Sequence, residues 1–231
     1  MNKKTLEFMC DFPYLEPPKP ARNFIPDWYK KTPQFVGGNP LINNPSVNGS
    51  KTVKLCIPFL DILTSGYIVE LWQDMQVTQL PTGPRITWGT EVPLVETRDK
   101  MMAEHIEIPH GHDDTHFVWY FPYSFKTPKG YSVLFSQPFN RYDLPFTTLS
   151  AIIDTDDAVI RGRIPFFIKK DFEGIIPAGT PIAQIIPFKR DEWTLVKNPE
   201  LLKIANEHRF KSMRVTKGFY KNNLWKKKKF N

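Results

Sequence analysis

Cysteine is scarce in this sequence: two in 231 residues, Cys10 and Cys56, with no CxxC spacing. That spacing argues against a structural zinc site built on them and fixes no disulfide pairing. No run of apolar residues approaches the length that crosses a bilayer. The opening "MNKKTLEFMCDFPYLEPPKP" lacks the apolar core of a secretory signal. A cytoplasmic protein is therefore expected, with no membrane partner. Glycine is thin toward the end, where only Gly218 lies beyond Gly179. Acidic residues are thinner still: from Lys203 to Asn231 there are ten Lys or Arg and one acid, Glu207, so this stretch carries +9 of a net +7 and the rest nets −2. A whole-surface nucleic-acid binder is disfavoured, and nucleic acid could be met only through the tail.

What is present points to a folded β protein. The chain is 41% hydrophobic, with 18 Phe and 6 Trp, and its 22 Pro recur through the first 190 positions. Proline removes a backbone donor and breaks helices, so long helices have little room before the C-terminus. Residues 1–50 read as an extended Pro-rich arm in which only "PDWYKK" could start a helix, with Phe24, Trp28, Tyr29 and Phe35 needing a core or a neighbouring subunit. Residues 51–190 read as a β domain of about eight strands: "GYIVELW", "MQVTQL", "RITWGTEV", "FVWYFP", "GYSVLFSQP", "TLSAIID", "RGRIPFFI" and "TPIAQIIPF". The first two are expected to pair across a Gln73-Asp74 turn. Residues 191–231 read as a helix and a basic aromatic tail. Asn198 suits an N-cap, Pro199 the first helical position, and Leu201, Ile204, Ala205 and His208 share a face.

"AIIDTDDAVIRGRI" and "AGTPIAQII", with "TSGYIVELW" upstream, resemble the motifs of deoxyuridine triphosphatases in order and approximate spacing over roughly Leu63 to Phe188. Ser65, Gly66 and Tyr67 match an early strand; Ile152, Ile153, Asp154, Asp156, Arg161 and Gly162 match an Asp-x-Asp and Arg-Gly block; Gly179, Ile182, Ala183 and Gln184 match a later turn and strand. The resemblance implies a bent double-ribbon or β-barrel scaffold. It places Asp154 as the base that orients the attacking water, with Asp156 beside it and Arg161, Gly162 and Gln184 as ligand-binding positions. A carboxylate in that role needs a raised pKa and a fixed aim. The chain departs from the pattern where Asp157, Ala158 and Val159 stand in place of a base-stacking Tyr, and where the Pro-Arg-Ser-Gly and C-terminal Gly-rich phosphate loops are absent. The simplest account of Asp154 and Asp156 is then a turn whose carboxylates cap their own backbone.

A second resemblance covers most of residues 50–230. "FKTPKGYSVLFSQPFNRYDLPFTTLSAIIDTD", "DFEGIIPAGTPIAQIIPFKRDEW" and "YKNNLWKKKKF" are similar to an uncharacterised family found in phages and bacteria, a domain of unknown function. It implies a viral or prophage origin and no activity.

"HIEIPHGHDDTHF" offers another chemistry. On an extended strand His110, His112, Asp114 and His116 would share one face, a set suited to a divalent metal, and His110, His112 and Asp114 would suit an iron oxygenase. Gly111 and the Asp-Asp pair instead suggest a turn. In the tail, Phe219, Tyr220, Trp225 and Phe230 alternate with Lys, which fits docked aromatics under solvated lysines. The reading that joins these features is a non-catalytic, homo-oligomeric binding or assembly module of phage type that needs no cofactor. Two alternatives stay open. One is a diverged enzyme for a nucleotide or other small acidic ligand, using Asp154 and Asp156 with Mg. The other is the Fe oxygenase.

Overall fold

The structure is a computed structural model that describes residues 4–38, 51–159, 161–215 and 217–231. The described residues are mainly β, with several open antiparallel sheets and no closed barrel among them. The strands are β1 (Glu7–Cys10), β2 (Lys19–Pro20), β3 (Tyr67–Glu70), β4 (Met75–Leu80), β5 (Gly83–Trp88), β6 (Val95–Thr97) and β7 (Phe117–Lys126), followed by β8 (Tyr131–Ser136), β9 (Phe146–Thr148), β10 (Ala151–Ile153), β11 (Arg161–Ile168), β12 (Gly174–Ile176) and β13 (Pro181–Lys189). The helices are α1 (Asp27–Lys31), α2 (Ile57–Thr64), α3 (Leu201–Met213) and α4 (Phe219–Asn223). No described helix is long and apolar enough to cross a membrane.

The chain divides into two compact units, one of Met1–Ala21 with Gly66–Arg190 and one of Arg22–Ser65 with Asp191–Asn231. The first holds all three sheets. One runs β1-β7-β11-β9, with β6 also on β7; the second runs β10-β8-β13-β3-β2; the third runs β12-β4-β5. Strand β7 shows why they share a core. Its alternate residues Phe117, Trp119, Phe121, Tyr123 and Phe125 are all buried, so one face of the pleat is entirely aromatic. They cluster with Val133, Phe135 and Ile185 of the second sheet and with Met75, Val77 and Ile176 of the third. The Trp119 ring stacks on Phe166 with centroids 3.7 Å apart, and its Nε1–H donates to Thr148 Oγ1 at 2.9 Å. Thr148 Oγ1 in turn donates to the Ile182 carbonyl at 2.8 Å, tying the first sheet to the second.

Two sequence expectations are corrected here. Strands β3 and β4 do not pair; β3 lies between β13 and β2, and β4 between β12 and β5. Their connecting residues are held by other loops, Gln73 Nε2 donating to the Val92 carbonyl at 3.0 Å and Asp74 accepting the Ala178 N–H at 2.8 Å. The described sheets are open, and none closes into a barrel. Within the N-terminal stretch, β1 pairs with β7 and β2 with β3 inside the first unit. Residues 39–50 of that stretch lie outside the described residues.

In the second unit the arm aromatics pack within their own chain. Tyr29 is buried, stacks on Phe59 at 5.9 Å, and carries the Lys54 ammonium over its ring at 4.5 Å; Trp28 meets Phe59 edge-on. The tail docks in the same unit: Trp225 Nε1 donates to the Asp61 carboxylate at 2.9 Å and Lys228 Nζ does so at 2.6 Å. Helix α3 begins after Asn198, whose side chain accepts the Glu200 N–H at 3.0 Å. The expected face of Leu201, Ile204, Ala205 and His208 is not buried, and α3 has no buried residue at all.

Candidate functional site

The Asp-x-Asp motif follows β10, and its geometry explains what the two carboxylates do. Thr155, between them, is buried; its hydroxyl meets that of Thr127 at 2.8 Å, and the Thr127 N–H donates to the Thr155 carbonyl at 3.2 Å. That fixes the motif against the β7–β8 turn. Asp156 then accepts the Gly130 N–H of that turn at 2.8 Å and a two-pronged pair from the Arg190 guanidinium, one prong at 2.8 Å. Asp154 accepts from Ser132 Oγ at 2.6 Å and lies 3.2 Å from Arg190, which also donates to Ser132 Oγ at 2.9 Å. The motif is a clamp joining the β7–β8 turn, the β10–β11 loop and the end of β13. The expected turn is present in its backbone, the Asp157 N–H donating to the Asp154 carbonyl at 3.2 Å, but the two carboxylates reach to Gly130, Ser132 and Arg190 on other segments.

The electrostatics run against general-base catalysis by Asp156. The Arg190 hydrogen bonds, followed by the Gly130 N–H, pull its carboxyl down to about 2, whereas a base at neutral pH needs a value raised toward 7. Replacing Arg190 with Met is expected to return Asp156 toward its ordinary 3.8, read by carboxyl chemical shift against pH. Because the folded value lies below the unfolded one, the pair contributes stability above about pH 4 that is lost as pH falls through about 2. The variant should be less stable at neutral pH and lose less on acidification.

Beside the clamp is a surface cleft of about 540 Å³ lined by Lys4, Lys126 and Lys129 together with Glu7, Asp156 and Asp157. With Asp156 matched by Arg190, three ammoniums face two carboxylates, which suits a small anion better than a cation. The sequence reading missed Ser132, Arg190 and these lysines. Arg190 closing a strand opposite an acidic turn was the available signal.

The remaining predicted ligand positions have separate partners. Arg161 bridges Asp11 at 3.0 Å on the first sheet, Gly162 is buried beside it, and the buried Gln184 accepts the Phe139 N–H through Oε1 at 3.0 Å. The structure does not gather Arg161 and Gln184 with the two aspartates.

The histidine segment is a turn and not the extended strand the metal reading requires. Gly111 has φ 77°, the His112 N–H donates to the Pro109 carbonyl at 3.0 Å, and Asp113 accepts the Thr115 N–H at 2.8 Å. His110 and Asp114 are exposed, whereas His112 and His116 are buried. The four therefore do not share one exposed face. Among the described residues, no group of three or more His, Cys, Asp or Glu stands close enough to hold a metal ion. Burial, then the nearby Arg98, lowers the pKa of His116, whose ring lies 6.0 Å from Phe167; neither of its ring nitrogens has a hydrogen-bond partner among the described residues.

Compared with known proteins, the sequence matches no family model and no curated protein.

Proposed function

We propose that the protein is a non-catalytic assembly module that self-associates through residues 191–215, on a scaffold of the deoxyuridine triphosphatase type. One observation carries this reading. The stretch 191–200 and helix α3 contain no buried residue, yet they present Trp193, Leu195, Val196, Leu202, Phe210 and Met213 at 68% exposure or more, apart from Phe210 at 64%. Single exposed apolar residues are ordinary, but six large ones within residues 193–213 are the kind of surface a partner covers in an interface. The contacts of Asp154 with Ser132 and Arg190, the Arg190 clamp on Asp156 and the absent phosphate loops support the non-catalytic half of the reading. Phage or prophage origin rests on sequence resemblance.

The alternative of a nucleotide or other small acidic ligand is supported by the lysine-lined cleft, and it is compatible with assembly. The test of the main reading is the mass of the full chain by sedimentation velocity from about 1 to 100 μM. A concentration-dependent approach to a multiple of the chain mass is expected; a monomer throughout would overturn it. Turnover of dUTP or dCTP abolished by Asp154→Asn would overturn the non-catalytic half.

A further inference from the structure

Residues 192–197, "EWTLVK", present an unusual combination of properties. Every one of them is exposed, with Leu195 fully so and Trp193 at 88%. Their backbone N–H and C=O groups make no backbone hydrogen bond to any described residue. Trp, Thr and Val are strand formers, and here they stand in a strand-like sequence that has no sheet. A lipid surface would accept the tryptophan and the lysine but leave the backbone of the buried stretch without partners. Another strand satisfies backbone and side chains together.

We infer that residues 192–197 pair antiparallel with the same residues of a second copy, forming a two-stranded ribbon across a two-fold axis between Thr194 and Leu195. This deepens the self-association proposed above and rests on it. The support is the self-complementarity of the sequence. In that register Glu192 stands opposite the second copy's Lys197, Trp193 opposite Val196, and Thr194 opposite Leu195. Opposed residues of an antiparallel pair lie on one face, so each partnership recurs twice by symmetry: an opposite-charge pair, an aromatic with a β-branched residue, and a Thr with a Leu. A register slip of one residue, which moves the axis onto Thr194 or Leu195, places Glu192 opposite Val196 or Asn198 and loses the charge match. The ribbon leads directly into α3 of each copy, whose exposed Leu202 and Met213 would then be carried toward the same assembly.

Charge reversal tests the register without touching the core. Glu192→Lys and Lys197→Glu each set like charges opposite one another twice per dimer, and each should raise the dissociation constant roughly tenfold. The double variant Glu192→Lys with Lys197→Glu restores the pairing in reverse and should return to within about twofold of wild type. Sedimentation equilibrium on full-length proteins reads all four. Wild-type self-association that none of the variants changes, or that the double variant fails to recover, overturns the ribbon while leaving assembly through another surface standing. A wild-type chain that stays monomeric to 100 μM overturns both.

Discussion

Trp119→Ala is expected to destabilise the protein by about 3–5 kcal/mol, a loss comparable to the whole stability of a marginal domain. The side chain is fully buried on the aromatic face of β7, stacked on Phe166 and meeting Phe146 edge-on at 5.1 Å. Alanine would leave a cavity walled by rings that belong to paired strands and so cannot collapse freely into it. It would also remove the Nε1–H donor at the head of the Trp119–Thr148–Ile182 connection between the two larger sheets. Trp119→Phe separates the larger part of the two contributions, since it keeps most of the ring volume and loses the hydrogen bond, about 1 kcal/mol, with a smaller share of the packing. Urea denaturation followed by circular dichroism measures both. A Trp119→Ala midpoint within error of wild type would show that this part of the core is not packed as described.

Gly66→Ala should lose at least about 3 kcal/mol, through backbone geometry in place of burial. Gly66 has φ 72°, where an L side chain is strained by about 1–2 kcal/mol. A Cβ there would lie 2.0 Å from the Ile185 carbonyl oxygen, a contact that only displacement of backbone can relieve. The neighbouring residue Tyr67 is paired with Ile185, so the displacement would open the β3–β13 ladder from its end. Gly89→Ala is the matched control. Nothing lies within 4 Å of a Cβ at Gly89, and the substitution there should be neutral or stabilise by up to about 1 kcal/mol through the unfolded chain. Equal denaturation midpoints for the two variants would refute the close approach.

These residues show what the sequence discloses. The alternation in "MQVTQL" and the run "RGRIPFFI" mark β4 and β11 to their ends, because their side chains sort by face within the strand itself. Partnership is not local, and so β3 and β4 were misassigned to each other: an adjacent turn signal cannot show that Gln73 and Asp74 are bound to distant loops. Helix α2 escaped because "IPFLDILT" is a short apolar run whose period fits either structure. At the candidate site the Asp-x-Asp motif was legible as a place of interest. Its occupation was not, because Arg190 and Ser132 come from strands far away in sequence. Residues 191–215 were the reverse case. The helix was readable from its start signals, but only the structure shows that none of its apolar side chains is buried.

The Ala21 N–H donates to the Gly66 carbonyl at 3.0 Å, alongside the pairing of Pro20 with Tyr67. The chain thus leaves the β body and re-enters it through a single doorway, and residues 22–65 are topologically an insertion. Closing an excursion grows more costly only with the logarithm of its length, so this stretch can lengthen or shorten without moving any strand out of register. The doorway leaves the sheets independent of what residues 22–65 contain, but the tail residues Trp225 and Lys228 are bound to Asp61, so this insertion is free to change only in step with the C-terminal stretch that shares its unit.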